Sequence, residues 1–220
     1  MLMETTRLNQ LMALMDGDGP HEPAASSTLD VLAALYERVL RREGPDEDHF
    51  LLSKGHGPQA YFAVLAASGC FPADWLAGFG SFASPLGHHP DRKLVPGVEL
   101  SSGSLGHGLA IAVGLAVGLE ATGRGGRVFC LVGDGELDEG SNYEAIVLAG
   151  RRRLGNLRVV AVDNRSSSLG WPGGLERRFS LEGWSARRVD GHDREALESA
   201  LTAPTAGSPA VVVANVGLAR

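Results

Sequence analysis

The sequence predicts an α/β protein: a single doubly wound domain with a mainly parallel sheet flanked by helices. Two observations carry this. Apolar runs of strand length alternate with longer segments whose apolar residues recur at helical spacing, the pattern of a layered fold with crossover helices. The chain's 220 residues, 44% hydrophobic and 21% charged, suffice for one sizeable core and little more. No repeat or low-complexity tract divides the chain. Residues 1–220 are therefore expected to form one domain, with residues 1–20 as a flexible N-terminal helix and loop.

The elements follow in order. Residues 4–16 read as a short helix, followed by a Gly-, Pro- and Asp-rich loop from Gly17 to Ser27. Ser27 or Thr28 is expected to cap the next helix, where Leu29, Leu32, Ala33, Tyr36, Val39 and Leu40 form one apolar face. Phe50–Leu52 reads as a short buried strand. It runs into a turn, Ser53-Lys54-Gly55-His56-Gly57-Pro58, that opens another helix, with Pro58 in its first turn. Residues 80–104 are rich in Gly, Pro, Ser and His, and a loop that long inside a compact domain is usually functional. Leu105–Thr122 reads as a helix with small residues on several faces. The runs Arg127–Val132 and Leu157–Val162 read as buried strands, with a helix over Tyr143–Arg153 between them. Ala186–Val189 and Pro209–Asn215 complete about five strands, with a helix near Arg194–Leu201.

Composition narrows the function. A net charge of −6 gives no support to a nucleic-acid-binding face, and the short run Arg151-Arg152-Arg153 reads as a solvated helix end. Cys70 and Cys130 lie in apolar surroundings, as reduced core thiols do. The first residues lack a basic segment followed by an apolar one. The longest apolar run, Leu105–Leu119, is short and broken by glycines, too little to span a bilayer. A cytoplasmic protein acting on a small molecule, with neither nucleic acid nor membrane as partner, is expected.

The sharpest chemical signal is Gly133-Asp134-Gly135, directly after the RVFCLV strand, with Asn164 ending the LRVVAVD strand 30 positions after Asp134. In open parallel sheets, ligands bind beyond the carboxyl ends of the strands. Neighbouring parallel strands would bring Asp134 and Asn164 together there. A carboxylate and an amide oxygen are hard ligands that suit Mg²⁺, which takes its remaining ligands from phosphates and water. Gly135 lets the backbone approach a phosphate closely. Asp134 alone would more often be a turn or cap residue; its pairing with Asn164 favours a metal-diphosphate site.

These residues resemble the thiamine-diphosphate fingerprint, a GDG followed by an Asn. The segments LSKGHGPQAYFAVLA (52–66), HPDRKLVPGVELSSGSLGHGLAIAVGLA (89–116), GDGELDEGSNYEAIVLAG (133–150) and VDGHD (189–193) are similar to the cofactor-binding domain of transketolases. They are most similar to the N-terminal subunits of bacterial split transketolases, in family order from about His21 to Asn215. The resemblance implies thiamine diphosphate and Mg²⁺ as cofactors. Asp134, Asn164 and the Ser166 carbonyl would ligate the metal, with Gly133 and Gly135 at the diphosphate. Gly103 and Leu105 would contact the aminopyrimidine through their backbones, and His56 would lie near the diphosphate and the reacting end. His21 and His89 would face the substrate's hydroxyls and assist proton transfer. Glu139 would sit at the subunit interface, coupled to the partner's activating glutamate. Histidines near the carbonyl would serve as general acid and base in transfer of a two-carbon ketol unit from a ketose-type donor to an aldehyde. The family's second domain, which binds the pyrimidine, has no counterpart in these residues. A separate C-terminal subunit in an α2β2 assembly is implied.

Plainer readings stand beside these: His56 as a helix-end residue, His88 and His89 as solvated loop residues, His21 as part of a tail, Glu139 as a carboxylate at a helix start. For His192, in Gly-His-Asp before a helix, the turn-and-cap reading leads. The chain also departs from the family pattern. His107 stands where the family commonly has Gln, Glu22-Pro23-Ala24-Ala25 replaces a glycine-rich segment after His21, and Arg165–Gly170 is not a close match. No Lys-Gly-rich segment follows Asn215, from which a specialised, secondary-metabolic acceptor is expected. Two other readings share the motif: an α-subunit of a 2-oxoacid dehydrogenase-like enzyme, and a non-catalytic scaffold subunit of the same fold.

Overall fold

A computed structural model describes residues 4–15 and 22–217. In chain order the elements are α1 (Thr5–Met12), α2 (Glu22–Ala34), β1 (His49–Leu52), α3 (Gln59–Ala67), α4 (Gly108–Ala121), β2 (Val128–Gly133), α5 (Gly140–Arg152), β3 (Leu157–Asp163), α6 (Leu175–Leu181), β4 (Ser185–Asp190), α7 (Arg194–Thr202) and β5 (Ala210–Asn215). A π-helical turn at Leu35–Val39 extends α2, and 3₁₀ turns form at Ala73–Gly78 and Glu136–Asp138. The five strands make one sheet in the order β1-β2-β3-β5-β4, parallel at every pairing.

The apolar runs are strands because both of their faces are buried, the condition of a parallel sheet covered by helices on each side. Alternate residues serve opposite cores. Phe129, Leu131, Val160, Val162 and Val212 join Leu32, Phe62 and Leu197 of α2, α3 and α7 on one face. Val128, Cys130, Val132, Val159, Ala161 and Val211 join Leu109, Ile146 and Phe179 of α4, α5 and α6 on the other. The doubly wound fold expected from the sequence is thus realised. β4 forms an edge of the sheet, where Arg187 and Arg188 face solvent; charge on an edge strand discourages pairing with another chain.

Two expectations are corrected, and one element is new. Ser27 and Thr28 do not cap α2; the helix begins at Glu22, and both residues are buried inside it. Proline is tolerated in a first helical turn, so Pro23 is compatible with this earlier start. The helix expected from Leu105 begins at Gly108. α6 follows from no expectation: with seven residues, its only fully buried side chains are Leu175 and Phe179. The long segment between Gly78 and Gly108 contains turns but no strand or α-helix, as its composition suggested. Cys130 is buried, Cys70 is half-buried, and both are free thiols. Among the described residues no helix is long and apolar enough to cross a membrane.

β1 is locked beside β2 by one enclosed carboxylate. The Asp48 side chain has no solvent exposure. It accepts from Arg127 N, Nε and Nη2 at 2.9, 3.1 and 2.6 Å and from Arg41 N and Nη2 at 2.9 and 2.8 Å. Burial pushes its pKa up, but these bonds outweigh burial and hold it well below the usual carboxylate range. A depressed folded value contributes stability that is present above the unfolded pKa of about 3.9 and lost as pH falls through the folded value. Asp48→Ala should cost about 3 kcal/mol, because it strands a partly buried arginine. Urea unfolding across pH 7 to 3 checks this: the wild type should lose more stability on acidification than the variant does.

Candidate cofactor site

The site forms where β2 and β3 end side by side. Gly133 of β2 registers with Val162 of β3, so the chain leaves both strands at one level. Asp134 is 2% exposed. Its Oδ1 accepts from Gly135 N at 2.8 Å and Ser166 Oγ at 2.6 Å; its Oδ2 accepts from Ser166 N at 2.8 Å and Ser167 N at 3.3 Å. Ser166 N also donates to Asn164 Oδ1 at 3.2 Å. One amide therefore bridges the two side chains that the sequence singled out. Arg165 makes this possible by adopting a left-handed conformation, φ 62°, which turns successive amides of 166 and 167 toward Asp134.

A cavity of about 450 Å³ opens over this junction, lined by Lys54, His56, Leu105, Asp134, Glu139 and Asn164 among others. Its size suits a cofactor. The Ser166 carbonyl lies against Gly135, only 3.3 Å from where a Cβ there would stand. A carboxylate, an amide oxygen and a main-chain carbonyl are hard oxygen donors, a set that fits Mg²⁺. Among the described residues no group of three His, Cys, Asp or Glu side chains could hold a metal. The remaining ligands would have to come from a bound diphosphate and water. All four acceptor positions of Asp134 are in use; the rotatable Ser166 hydroxyl is the partner that can give way to a metal.

Two further segments close on the same place. In the turn after β1, Gly55 packs on Gly103: a Cβ on Gly55 would meet Gly103 N at 2.7 Å. Gly103, with φ 153°, packs in turn on the His89 ring, which a Cβ there would meet at 2.9 Å. The His56 and His89 rings stand edge-to-face, with centroids 5.3 Å apart. His56 Nδ1 donates to the Lys54 carbonyl at 2.9 Å. A carbonyl only accepts, so the proton is fixed on Nδ1 and the neutral ring's lone pair on Nε2. Glu139 sits at the N-cap of α5 without using its side chain as a cap; it is exposed, and its Cβ lies against Gly106. Thus His56, His89, Glu139, Gly103, Leu105, Gly133, Asp134, Gly135, Asn164 and Ser166 are gathered at the ends of neighbouring strands. His21 lies outside the described residues. His192 stands apart, paired with Asp30 Oδ2 at 3.1 Å. Asp193 beside it caps α7 by accepting from Glu195 N and Ala196 N.

Sequence reasoning missed Glu136, Lys54 and Asp138. Glu136 is 2% exposed. Its Oε1 accepts from Ser53 Oγ at 2.5 Å and Gly106 N at 3.0 Å, and its Oε2 from Gly133 N at 3.3 Å. Ser53 Oγ in turn accepts from Gly108 N at 3.0 Å. This one carboxylate ties together the turn after β1, the glycine loop before α4 and the end of β2. Burial pushes its pKa up, against the opposing pull of Ser53, Gly106 and Gly133. Burial also lowers Lys54 to about 8, although Asp134 and Glu136 attract its charge. Asp138 accepts from Ser167 Oγ and Ser168 N, both at 2.8 Å, and from Ser168 Oγ and Leu169 N, both at 3.2 Å. Burial opposes, but these bonds hold Asp138 below its usual range.

Comparison with known proteins agrees with this geometry. Residues 1–215 match the family model described as the transketolase thiamine diphosphate binding domain. A Rhodococcoides fascians protein named ferredoxin fas2 is 49% identical over 215 residues, covering 95% of this chain and 71% of that protein. An iron–sulfur cluster of the ferredoxin kind needs four cysteine thiolates, and this chain has two cysteines. One of the subunits of the apulose-4-phosphate transketolase from Actinobacillus succinogenes is 36% identical over 209 residues, covering 90% of this chain and 76% of that protein. Subunit SqwG of the 6-deoxy-6-sulfo-D-fructose transketolase from Clostridium sp. is 32% identical over 208 residues, covering 89% and 76%. Among solved structures, the transketolase of Leishmania mexicana superposes with a TM-score of 0.77 at 27% identity, over 98% of this chain. The chain spans 37% of that transketolase's length, little more than a third, against about three-quarters of the two subunits. With its motif residues gathered at one site and its whole fold matched, the chain belongs to the transketolase family, as a thiamine diphosphate binding domain.

Proposed function

We propose that this chain is the thiamine-diphosphate- and Mg²⁺-binding subunit of a two-chain transketolase in the cytoplasm. The enzyme would transfer a two-carbon ketol unit from a ketose-type donor to an aldehyde or a specialised acceptor of secondary metabolism. The observation that carries the reading is the Ser166 amide shared by Asp134 and Asn164, at the mouth of a cavity that His56 and Leu105 also line. Asp134, Asn164 and the Ser166 carbonyl hold the metal; the Gly133–Gly135 backbone and the Lys54 ammonium face the diphosphate. When bound, the cofactor supplies a nucleophilic carbon and an electron sink for carbonyl chemistry. His56, with its proton fixed on Nδ1, presents Nε2, and with His89 beside it moves protons at the oxygens of a bound carbonyl and its neighbouring hydroxyl. Gly103 and Leu105 position the aminopyrimidine, and His21 is assigned to the substrate-facing histidines.

The exposed Glu139 and the open cavity favour a second chain over the site, one carrying the pyrimidine-binding domain. Two relatives bear subunit names, which supports such a partner, here proposed in an α2β2 assembly. The test is a donor screen on the chain combined with a candidate C-terminal transketolase subunit from the same genome. Ketol transfer from ketose phosphates to aldehydes is expected. Decarboxylation of pyruvate without ketol transfer would replace this reading with that of a 2-oxoacid dehydrogenase subunit.

A further inference from the structure

We infer that Asp138 is a positioning residue for the metal-binding turn, clamping residues 167–169 so that Asn164 and the Ser166 carbonyl stand in ligating position before a metal arrives. The inference rests on the proposed cofactor site and extends it to a residue outside the ligand set.

The turn has few bonds of its own: Arg165 N donates to Asp163 Oδ1 at 3.3 Å, Ser166 N to Asn164 Oδ1 at 3.2 Å and Gly170 N to Ser167 Oγ at 3.2 Å. It passes through Arg165 in the left-handed region, a conformation unfavourable for any residue with a Cβ. Residues 165, 166, 168, 169 and 170 are exposed, so burial does not fix them. Two carboxylates from the other strand end, Asp134 and Asp138, hold the middle of the turn. Asp134 gathers the amides of Ser166 and Ser167, but its charge is what a metal would draw on. Asp138 gathers the next stretch through two hydroxyls and two amides, of Ser167, Ser168 and Leu169, and its grip is independent of the metal. It can act as a fixed point because it ends the short helix Glu136–Asp138, whose Glu136 is pinned on three sides. Beyond the clamp, Trp171 stacks on Tyr143 of α5 with ring centroids 5.0 Å apart, which fixes the far end. The turn from Asn164 to Trp171 is thus strung between β3 and α5, with Asp138 as its middle support. When the Ser166 hydroxyl releases Asp134 to a metal, this support keeps the Ser166 carbonyl from swinging away.

The test measures thiamine diphosphate binding to the two-chain complex across a Mg²⁺ titration, for the wild type, Asp138→Ala and the double variant Ser167→Ala/Ser168→Ala. For Asp138→Ala the half-saturating Mg²⁺ should rise about 10- to 100-fold, as for loss of other outer-shell supports of metal ligands. The binding plateau at high Mg²⁺ should be preserved. The serine variant, which keeps two backbone bonds to Asp138, should shift less, and it remains informative if Asp138→Ala folds poorly. In the metal-free chain, amide exchange at Ser168 and Leu169 should quicken on losing Asp138 while β3 stays protected. Faster exchange with unchanged half-saturation would make the clamp structural only and overturn the inference. So would exchange that does not change. A wild type that binds no cofactor at any Mg²⁺ would overturn the functional reading itself; wild-type binding with unshifted variants would overturn the clamp alone.

Discussion

Asp134→Ala should weaken Mg²⁺-dependent binding of thiamine diphosphate at least about 100-fold, since even supports outside a metal's own ligands are worth up to that much. Asp134 supplies the one carboxylate among the three proposed ligands, and the diphosphate would be bound partly through the metal that it would hold. The substitution also frees the amides of Ser166 and Ser167, so Asn164 loses its fixed relation to the strand end. Asp134→Asn separates these effects. It keeps the size but removes the charge and turns an N–H₂ group toward one pair of N–H or O–H donors. Both variants should bind poorly, with the alanine variant also showing a looser 164–170 turn. Calorimetry on the two-chain complex checks this, with thermal unfolding as a control for the fold. Binding within twofold of wild type would remove Asp134 from the site.

The largest effect on stability should come from Glu136. Its carboxylate is the common acceptor for Ser53 Oγ, Gly106 N and Gly133 N. Removing it leaves these donors unsatisfied in the interior, at about 1–3 kcal/mol for each buried group and less than additively. Glu136→Ala should therefore lose about 4 kcal/mol. For a domain of this size, each kcal/mol shifts Tm by about 2–4 °C, so the midpoint should fall by roughly 10 °C. Glu136→Gln keeps one acceptor oxygen and should lose less than half as much. Because the three donors sit on the three segments that frame the cavity, cofactor affinity should fall in both variants. A Tm for Glu136→Ala within 2 °C of wild type would contradict the network. Gly108 marks how tight the same junction is: a Cβ there would lie 2.3 Å from Ser53 Cβ, so Gly108→Ala should destabilise it as well.

The sheet was legible because its physics is local. The buried strands are apolar runs, broken only by Arg158 in β3, and the Gly133-Asp134-Gly135 and Asn164 motif falls at the ends of two of them. Parallel pairing of β2 with β3 then brings the motif residues together without further information. The glycine-rich segments around Gly55 and Gly103 were legible as loops, and their close contact explains why glycine stands there. Glu136 was not legible. Its partners lie 83, 30 and 3 positions away, and nothing in Gly-Glu-Leu-Asp distinguishes a buried hub from a solvated carboxylate at a helix start. α6 was hidden by its length and by its two arginines, Arg177 and Arg178, between the two residues it buries. Asp138 carries no signal in the sequence that ties it to Ser167 and Ser168. Their contact depends on a carboxylate and a loop some 30 residues apart meeting across the strand ends.

The proposed thiamine diphosphate site is completed by Mg²⁺ and a second chain. The most direct test is calorimetric binding of thiamine diphosphate to this chain, alone and combined with the pyrimidine-binding chain, with Mg²⁺ and with excess chelator. Tight binding that requires both Mg²⁺ and the second chain is the predicted result. Absence of binding under all conditions, with both chains folded and associated, would contradict the account and leave a scaffold subunit of the same fold.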